Sequence, residues 1–195
     1  NIMSVLVCKI TIALFIAACG IIRLPFMKKR KNIRPVKTVH GGFEKAKVFV
    51  AWLGMCLVPL LYVFTPALDR FAVPLPESVR LACCAGLAAN AVFFYFIHKQ
   101  LDDNWSATLE IKDGQKLIDT GVYKRVRHPM YAQSWLWVVL TGAASANAFV
   151  LLFGVASWGF MYFTRVYDEE KMMLAQFGAA YEDYMKRTGR VFPKF

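Results

Sequence analysis

The sequence has few of the residues that build metal sites, disulfide frameworks and hydrolytic triads. It contains three histidines, at positions 40, 98 and 128, and five cysteines, all inside apolar runs and without a C-x-x-C pair. Cysteines in such runs are typical of small buried hydrophobic residues, so we predict neither a disulfide nor a metal site. No serine or cysteine outside the apolar runs pairs with a histidine, which argues against acyl-transfer hydrolysis.

Acidic residues are also scarce, with 13 Asp and Glu against 24 Lys and Arg and a net charge of +11. A basic excess of this size can indicate nucleic-acid binding. However, the chain is 57% hydrophobic with a mean hydropathy of +0.41, and its apolar residues come in blocks. This composition is typical of a membrane protein. We therefore predict no nucleic-acid partner, and assign the basic residues to loops that can also contact membrane lipids.

The apolar blocks predict five transmembrane helices. Crossing a hydrocarbon core of about 30 Å takes roughly 20 apolar residues. The blocks cover about residues 2–22, 47–64 and 79–97, followed by a long run over 129–166. The small and polar segment Ala143 to Asn147 divides that run into spans at 129–144 and 147–166. We predict a single domain over 1–195, an all-α integral membrane protein.

The placement of the basic residues predicts the orientation. All but three of the 24 Lys and Arg fall in residues 23–47, 98–128 or the tail from Arg165; the exceptions are Lys9, Arg70 and Arg80. Five spans place those three regions on one side, and the positive-inside rule makes it the cytoplasmic side. The N-terminus is then outside, the C-terminus inside, and the cytoplasmic regions are 98–128 and 167–195.

The first cytoplasmic region contains a β-hairpin pattern. Thr108 to Lys112 alternates between polar and apolar residues, Asp113-Gly114 is a strong two-residue turn, and Gln115 to Ile118 follows with mixed alternation. We predict a small cytoplasmic β-hairpin against the membrane face.

The motif Arg127-His128-Pro129-Met130-Tyr131 stands at the entrance of the last apolar run. It can be explained as an ordinary helix start, because Pro is favoured at the first helical position and basic residues are common beside a span. The same helix N-terminus presents unpaired N–H groups that suit a carboxylate or another acceptor-rich ligand. The residues alone leave both interpretations open.

The exit of the run carries Arg165 and Glu169-Glu170. Arg165 and Glu169 are four apart and could simply pair along one helical face. Placing an ionisable residue at membrane depth costs free energy, and such residues usually face the protein interior or a water-filled cavity. Charged residues at both ends of the long apolar run therefore indicate a binding site. Beyond them, residues 171–186 predict a C-terminal amphipathic helix.

These elements, taken in order, resemble the C-terminal half of the isoprenylcysteine carboxyl methyltransferase family. The resemblance is carried by Gly121-Val122-Tyr123, the 127–131 motif, Arg165, Glu169-Glu170 and the stretch from Phe177 to Tyr184. It covers roughly residues 105–195 and is especially close to the small prokaryotic and archaeal integral-membrane methyltransferases of that group.

The resemblance implies methyl transfer dependent on S-adenosylmethionine, with S-adenosylhomocysteine as product, to a lipophilic or prenylated acceptor entering from the bilayer. It assigns Arg165 to the substrate side, as the catalytic residue. It assigns cofactor binding to His128, Pro129, Met130, Tyr131 and Glu169, and by nearness to the motif to Leu117, Gly121, Tyr123 and Trp135.

Two alternatives remain open at the level of sequence. An NADPH-dependent membrane reductase of sterols or enones has a similar Arg-His-Pro-x-Tyr element but generally more spans. A non-enzymatic membrane scaffold would leave Arg165 and Glu169 as no more than a salt bridge.

Overall fold

The computed structural model describes residues 2–30, 35–38, 41–102, 110–112 and 116–194. Within these ranges the chain forms seven α-helices, and a π-helical turn at Leu53–Leu57 joins the second to the third. The helices are α1 (Ile2–Arg30), α2 (Gly41–Trp52), α3 (Val58–Phe64), α4 (Glu77–Leu101), α5 (Pro129–Ser145), α6 (Ala148–Phe177) and α7 (Ala179–Arg187).

In the described part of the chain, four helical segments are long and apolar enough to cross a membrane: Ile2–Lys29, Gly42–Phe64, Glu77–Leu101 and Ala148–Phe177. All five cysteines lie within them. Many large apolar side chains on these segments point outward, as a lipid-facing surface requires. The remaining predicted span, at 129–144, corresponds to α5, which has only 17 residues, so the five-span prediction is confirmed for four.

Two helices extend beyond the predicted membrane spans. The first span was expected to end near residue 22, but α1 continues to Arg30. The last was expected to end near residue 166, but α6 continues to Phe177, so Arg165 and Glu169 lie within one unbroken helix. The predicted helix over 171–186 is consequently split at Gly178, whose φ of 52° ends α6 before α7 begins.

The helices pack around aromatic contacts. The helix α4 lies between α1 and α5, and the ring of Trp137 on α5 meets Phe15 of α1 at 4.7 Å and Phe94 of α4 at 6.2 Å, edge to face in both cases. The helix α6 packs on α5 and on α2 with its π turn. This arrangement fixes α2, α5 and α6 side by side.

The π turn has a local cause at Pro59. Proline has no N–H group to donate to the carbonyl four residues earlier, which belongs to Met55. That carbonyl instead accepts the indole N–H of Trp137 at 3.1 Å. At Gly54 the backbone approaches α6 so closely that a Cβ atom would meet the Ser157 side chain. A larger residue than glycine would therefore separate these helices.

The turn between α5 and α6 lies where the sequence predicts it. Ala146 has a left-handed conformation with φ of 49°, and Asn147 caps α6 by accepting the Val150 N–H at 3.1 Å. The division of the long apolar run into two helices is therefore confirmed.

The predicted hairpin is not confirmed. Its turn at Asp113-Gly114, and residues 108, 109 and 115, lie outside the described residues. The described strand Glu110–Lys112 pairs antiparallel with Pro35–Thr38, and residues 116–119 form no strand. Alternation predicted a strand here, but the partner comes from a segment about 70 residues earlier.

Candidate functional site

A cavity of about 260 Å³ lies among α2, α5, α6, α7 and the loop that precedes α5. Most of the residues predicted for the site line it. They are Leu117, Tyr123, His128, Met130, Tyr131, Arg165 and Glu169. The structure thus brings the start of α5 and the 165–169 segment of α6 to one cavity, together with the loop at 116–123.

Three predicted residues do not line the cavity. Pro129 is the first residue of α5 and is buried beneath the site. Gly121 has a φ of 56° and lies against Gln100, whose amide nitrogen would be 2.3 Å from an added Cβ. Trp135 packs its ring against Tyr162 and Phe163 on α6. The positions of Pro129 and Gly121 are consistent with setting the backbone path beside the cavity. Trp135 instead contributes to the packing of α5 on α6.

Glu169 is the centre of the cavity's charged wall. Its carboxylate accepts a short hydrogen bond from the Tyr131 hydroxyl. It lies 3.8 Å from Nδ1 of His128 and 3.7 Å from Nε of Arg165. With 28% of its side chain exposed, Glu169 is more accessible than Arg165 at 7%. The carboxylate is therefore positioned by neighbours and still reachable from the cavity.

Glu170, the next residue, faces a different set of partners. Its carboxylate accepts hydrogen bonds from Arg127 Nε at 2.8 Å and from Arg190, at 2.6 Å through Nη2 and 3.1 Å through Nε. Nε2 of His128 lies 3.2 Å away. Two buried or half-buried guanidinium groups thus converge on one buried carboxylate, which ties α6 to the start of α5 and to the C-terminal segment.

The C-terminal segment adds backbone bonds to this junction. The N–H groups of Arg127 and His128 both donate at 2.9 Å, to the carbonyls of Gly189 and Arg190 respectively. The Gly189 N–H donates to the Arg125 carbonyl at 3.1 Å. The 127–131 motif is therefore held from both sides, by its own helix and by the tail.

Two tyrosines close the cavity on the loop side. Tyr184 of α7 donates to the carbonyl of Tyr123 at 2.7 Å. Burial, with the Glu169 carboxylate adding to it, raises the pKa of Tyr123 well above its ordinary value of 10. Burial also raises the pKa of Tyr184. Both phenols therefore stay neutral at physiological pH, and that of Tyr184 donates the hydrogen bond to the loop.

Sequence reasoning missed part of the wall. Arg23 of α1, Trp52 and Met55 of the second span, and Trp158 of α6 also line the cavity. The Trp158 indole N–H is buried and has no acceptor among the described residues. Trp158 lies seven residues before Arg165, so helical spacing puts both on one face. This spacing could have predicted Trp158 as a lining residue.

The arrangement provides an accessible carboxylate, a buried guanidinium one helical turn away and a wall of apolar and aromatic groups. Among the described residues no group of three potential metal ligands is found. The site is suited to a ligand that carries positive charge at one end and to a second, anionic ligand beside it.

Comparison with known proteins finds similar methyltransferases. Residues 80–175 match the sequence profile of the isoprenylcysteine carboxyl methyltransferase (ICMT) family. A protein-S-isoprenylcysteine O-methyltransferase from Dictyostelium discoideum is 36% identical over 85 residues, covering 43% of this chain and 35% of that protein. A protein-S-isoprenylcysteine O-methyltransferase from Xenopus laevis is 31% identical over 114 residues, which cover 57% of this chain and 36% of that protein. This chain spans about a third of the length of such relatives.

Among solved structures, the eukaryotic intramembrane Ras methyltransferase ICMT is similar, with a TM-score of 0.54 and 24% identity. The match covers 80% of this chain and 53% of that one. At 24% identity, this similarity shows a shared fold and no more.

The fold defines a multi-pass membrane protein with an ICMT-like arrangement of helices. The resemblance to the isoprenylcysteine carboxyl methyltransferase family is confirmed over residues 80–175, just under half of the chain, which includes α5, the 127–131 motif, Arg165 and Glu169. The reductase alternative finds no support in these comparisons.

Proposed function

We propose that this protein transfers a methyl group from S-adenosylmethionine to a lipophilic carboxylate, as in prenylcysteine methyl esterification, at the cytoplasmic membrane face. The observation that carries the proposal is the placement of Glu169 and Arg165 one helical turn apart on the wall of one cavity, inside the segment that matches the methyltransferase family.

The residues present fit the cofactor. An S-adenosylmethionine molecule carries cationic groups and a flat base, so it needs a carboxylate and apolar contact surfaces. Glu169 offers a carboxylate that Tyr131 already orients. Tyr123, Tyr181 and Met172 line the same part of the cavity and provide the apolar surfaces. His128, Met130 and Leu117 complete that wall.

The acceptor side is assigned to Arg165. A carboxylate is ionised at neutral pH, so it can act as a nucleophile without a general base. When bound, the cofactor would supply an electrophilic methyl carbon, so that the ionised acceptor would be esterified, with the thioether as leaving group and without a proton transfer. Arg165 orients the acceptor through two N–H groups, and the closed site aligns the reactants and excludes water.

The lipophilic part of the acceptor has an apolar route to this point. Ala51, Trp52 and Met55 on the second span line the cavity, opposite Trp158 and Met161 on α6. Trp52 is 46% exposed on the outer helix surface although it also lines the cavity. This position supports entry of a lipophilic or prenylated acceptor sideways from the bilayer, where its tail is already dissolved.

The membrane arrangement that we propose has five spans, with α5 as the short one. Seventeen residues lie at the lower end of the range for a membrane-crossing helix. Together with the distribution of Lys and Arg, five spans place the N-terminus outside and the C-terminus and site in the cytoplasm. Reporter fusions at each terminus test this: an active periplasmic reporter at the C-terminus contradicts it.

Ligand binding to the purified protein in detergent tests the function. We expect calorimetry to detect S-adenosylhomocysteine, and Glu169→Ala to weaken its binding by about ten-fold or more, because a charged hydrogen-bonding group is removed. Glu77→Gln, an exposed glutamate at the far end of α4, is the matched control and should bind normally.

NADPH is the competing ligand in this experiment. Binding of NADPH without binding of S-adenosylhomocysteine overturns the proposal in favour of a reductase. Binding of neither ligand also contradicts it. If S-adenosylhomocysteine binds equally well to Glu169→Ala, the assignment of Glu169 to the cofactor is wrong.

A further inference from the structure

A second carboxylate, that of Glu44, lies near Arg165 and does not line the cavity. Glu44, in the first turn of α2, is only 1% exposed, and Lys47 one turn later is 2% exposed. Neither residue lines the cavity. The sequence motifs do not include them, and Lys47 was expected only to mark the start of a span. Two charges buried this deeply in a membrane helix need an explanation.

Lys47 fixes one oxygen of Glu44. Its ammonium group donates to Oε1 at 2.7 Å and to the carbonyl of Thr164 on α6 at 2.9 Å. These bonds alone would anchor α2 to α6. The other oxygen, Oε2, has no hydrogen bond among the described residues and lies 3.8 Å from Nη1 of Arg165.

Arg165 therefore stands between two carboxylates. Its Nη1 faces Glu44 at 3.8 Å and its Nε faces Glu169 at 3.7 Å, both beyond hydrogen-bond distance. Lys47, Glu44, Arg165 and Glu169 together form a chain of alternating charge with no net charge. A buried charge that loses its partner is strongly unfavourable. If Glu169 turns to a cationic cofactor, Glu44 remains as the counter-ion of Arg165.

We propose that Glu44 is a positioning residue for Arg165, with Lys47 fixing Glu44 in turn. Glu44 holds the guanidinium group toward the cavity from behind. It also competes with the acceptor carboxylate, so that Arg165 orients the nucleophile without binding it too tightly to react. This inference rests on the proposed function and extends it to α2, which lies outside the segment that matches the family.

Glu44→Gln tests the proposal with two separate measurements on the purified protein. Calorimetry measures S-adenosylhomocysteine affinity without acceptor, and we expect it to stay within about two-fold of wild type, because Glu44 does not line the cofactor wall. Steady-state transfer to an S-prenylated cysteine analogue should show kcat/KM lowered about ten-fold or more. Glu77→Gln is the matched control, with both values unchanged.

Glu44→Asp keeps the charge but withdraws it from Arg165 by one methylene group. We expect an intermediate kcat/KM, about three-fold below wild type, with normal cofactor affinity. This variant also keeps the test decisive if Glu44→Gln fails to fold: kcat/KM equal to wild type in Glu44→Asp then overturns the proposal. Lys47→Met, which releases Glu44, should lower kcat/KM in the same direction as Glu44→Gln.

The outcomes separate this inference from the proposed function. A wild-type protein that binds no S-adenosylhomocysteine or transfers no methyl group contradicts the proposed function itself. A working wild type with an equally active Glu44→Gln overturns only the role of Glu44. A variant in which cofactor affinity falls as far as kcat/KM shows that Glu44 merely anchors α2 to α6, and this too overturns the proposal.

Discussion

The two ends of the α5–α6 hairpin bury different kinds of polar group. We call the end at the α5–α6 turn the closed end and the end at the cavity the open end. At the closed end, Asn147 is 1% exposed, caps α6 and donates to the Leu68 carbonyl at 2.7 Å. The Ala146 carbonyl accepts the Val73 N–H at 2.8 Å, and Arg80 reaches the Ala144 carbonyl at 3.1 Å. This end is closed mainly by the hydrogen bonds of the turn and its cap.

The open end, formed by Arg127–Tyr131 and Arg165–Glu170, is charged. Part of it is fully bonded, since Arg127 and Arg190 converge on Glu170. At the cavity, Arg165 lies between two carboxylates, at 3.8 Å from Glu44 and 3.7 Å from Glu169. Hydrogen bonds hold the hairpin at both ends, and the charged residues Arg165 and Glu169 line the cavity only at the open end.

Glu170→Ala should have the largest effect on stability. It leaves the buried Arg127 and the half-buried Arg190 without their carboxylate, and removing one partner of a buried pair costs about 3 to 5 kcal/mol. Thermal unfolding in detergent measures the loss. Glu170→Gln retains hydrogen-bond acceptance and should lose less. A Glu170→Ala protein as stable as wild type contradicts the role of this cluster at the open end.

Arg165→Lys should impair activity while stability changes little. Lysine keeps the charge between Glu44 and Glu169 but lacks the planar pair of N–H groups that orients a carboxylate. We expect kcat to fall about ten-fold or more, with S-adenosylhomocysteine affinity within about two-fold of wild type. Equal losses in kcat and cofactor affinity contradict the separation of roles between Arg165 and Glu169.

Asn147→Ala tests the closed end. It removes the helix cap and the bond to Leu68, for a loss of about 1 to 2 kcal/mol in unfolding free energy. S-adenosylhomocysteine affinity should not change, because Asn147 lies at the far end of α6. Asn147→Ser retains a cap acceptor and should recover part of the loss. Weakened cofactor binding in Asn147→Ala shows that the two ends are coupled.

Asp183→Asn should have the smallest effect. Asp183 pairs with Lys186 on the exposed face of α7, where both side chains are more than 70% accessible. The adjacent ammonium group lowers the pKa of Asp183, but solvent screens the pair. We expect an unchanged unfolding temperature and unchanged cofactor affinity. A clear loss in either places this face of α7 in a contact that the structure does not include.

The sequence predicted the α5–α6 turn because the turn depends on a local pattern, and most residues that the family resemblance assigned to the site line the cavity. Trp135 does not line the cavity, for a geometric reason. Met130, Ser134 and Trp137 share the cavity face at helical spacing, and Trp135, one residue beyond Ser134, is turned about 100° away from it. Nearness in sequence to the motif is therefore a poor guide on a helix.

Other residues could not be predicted because their partners are distant in the chain. Glu44 and Lys47 meet α6 about 120 residues later, and Arg190 joins Glu170 from the C-terminal segment, beyond the end of α7. The strand at Glu110–Lys112 pairs with a segment that carries little β signal of its own. Local patterns identify such elements but not what they contact.

The π turn at Leu53–Leu57 has a consequence for the rotational register of the second span. In an uninterrupted α-helix, Glu44 and Tyr62 would face the same direction, since 18 residues make five full turns. The wider turn rotates the second half by roughly a quarter of a turn. Glu44 can therefore face Arg165 on α6 while Tyr62 faces Lys9 on α1. One end of the second span thus contacts a cavity residue, and its other end packs against α1.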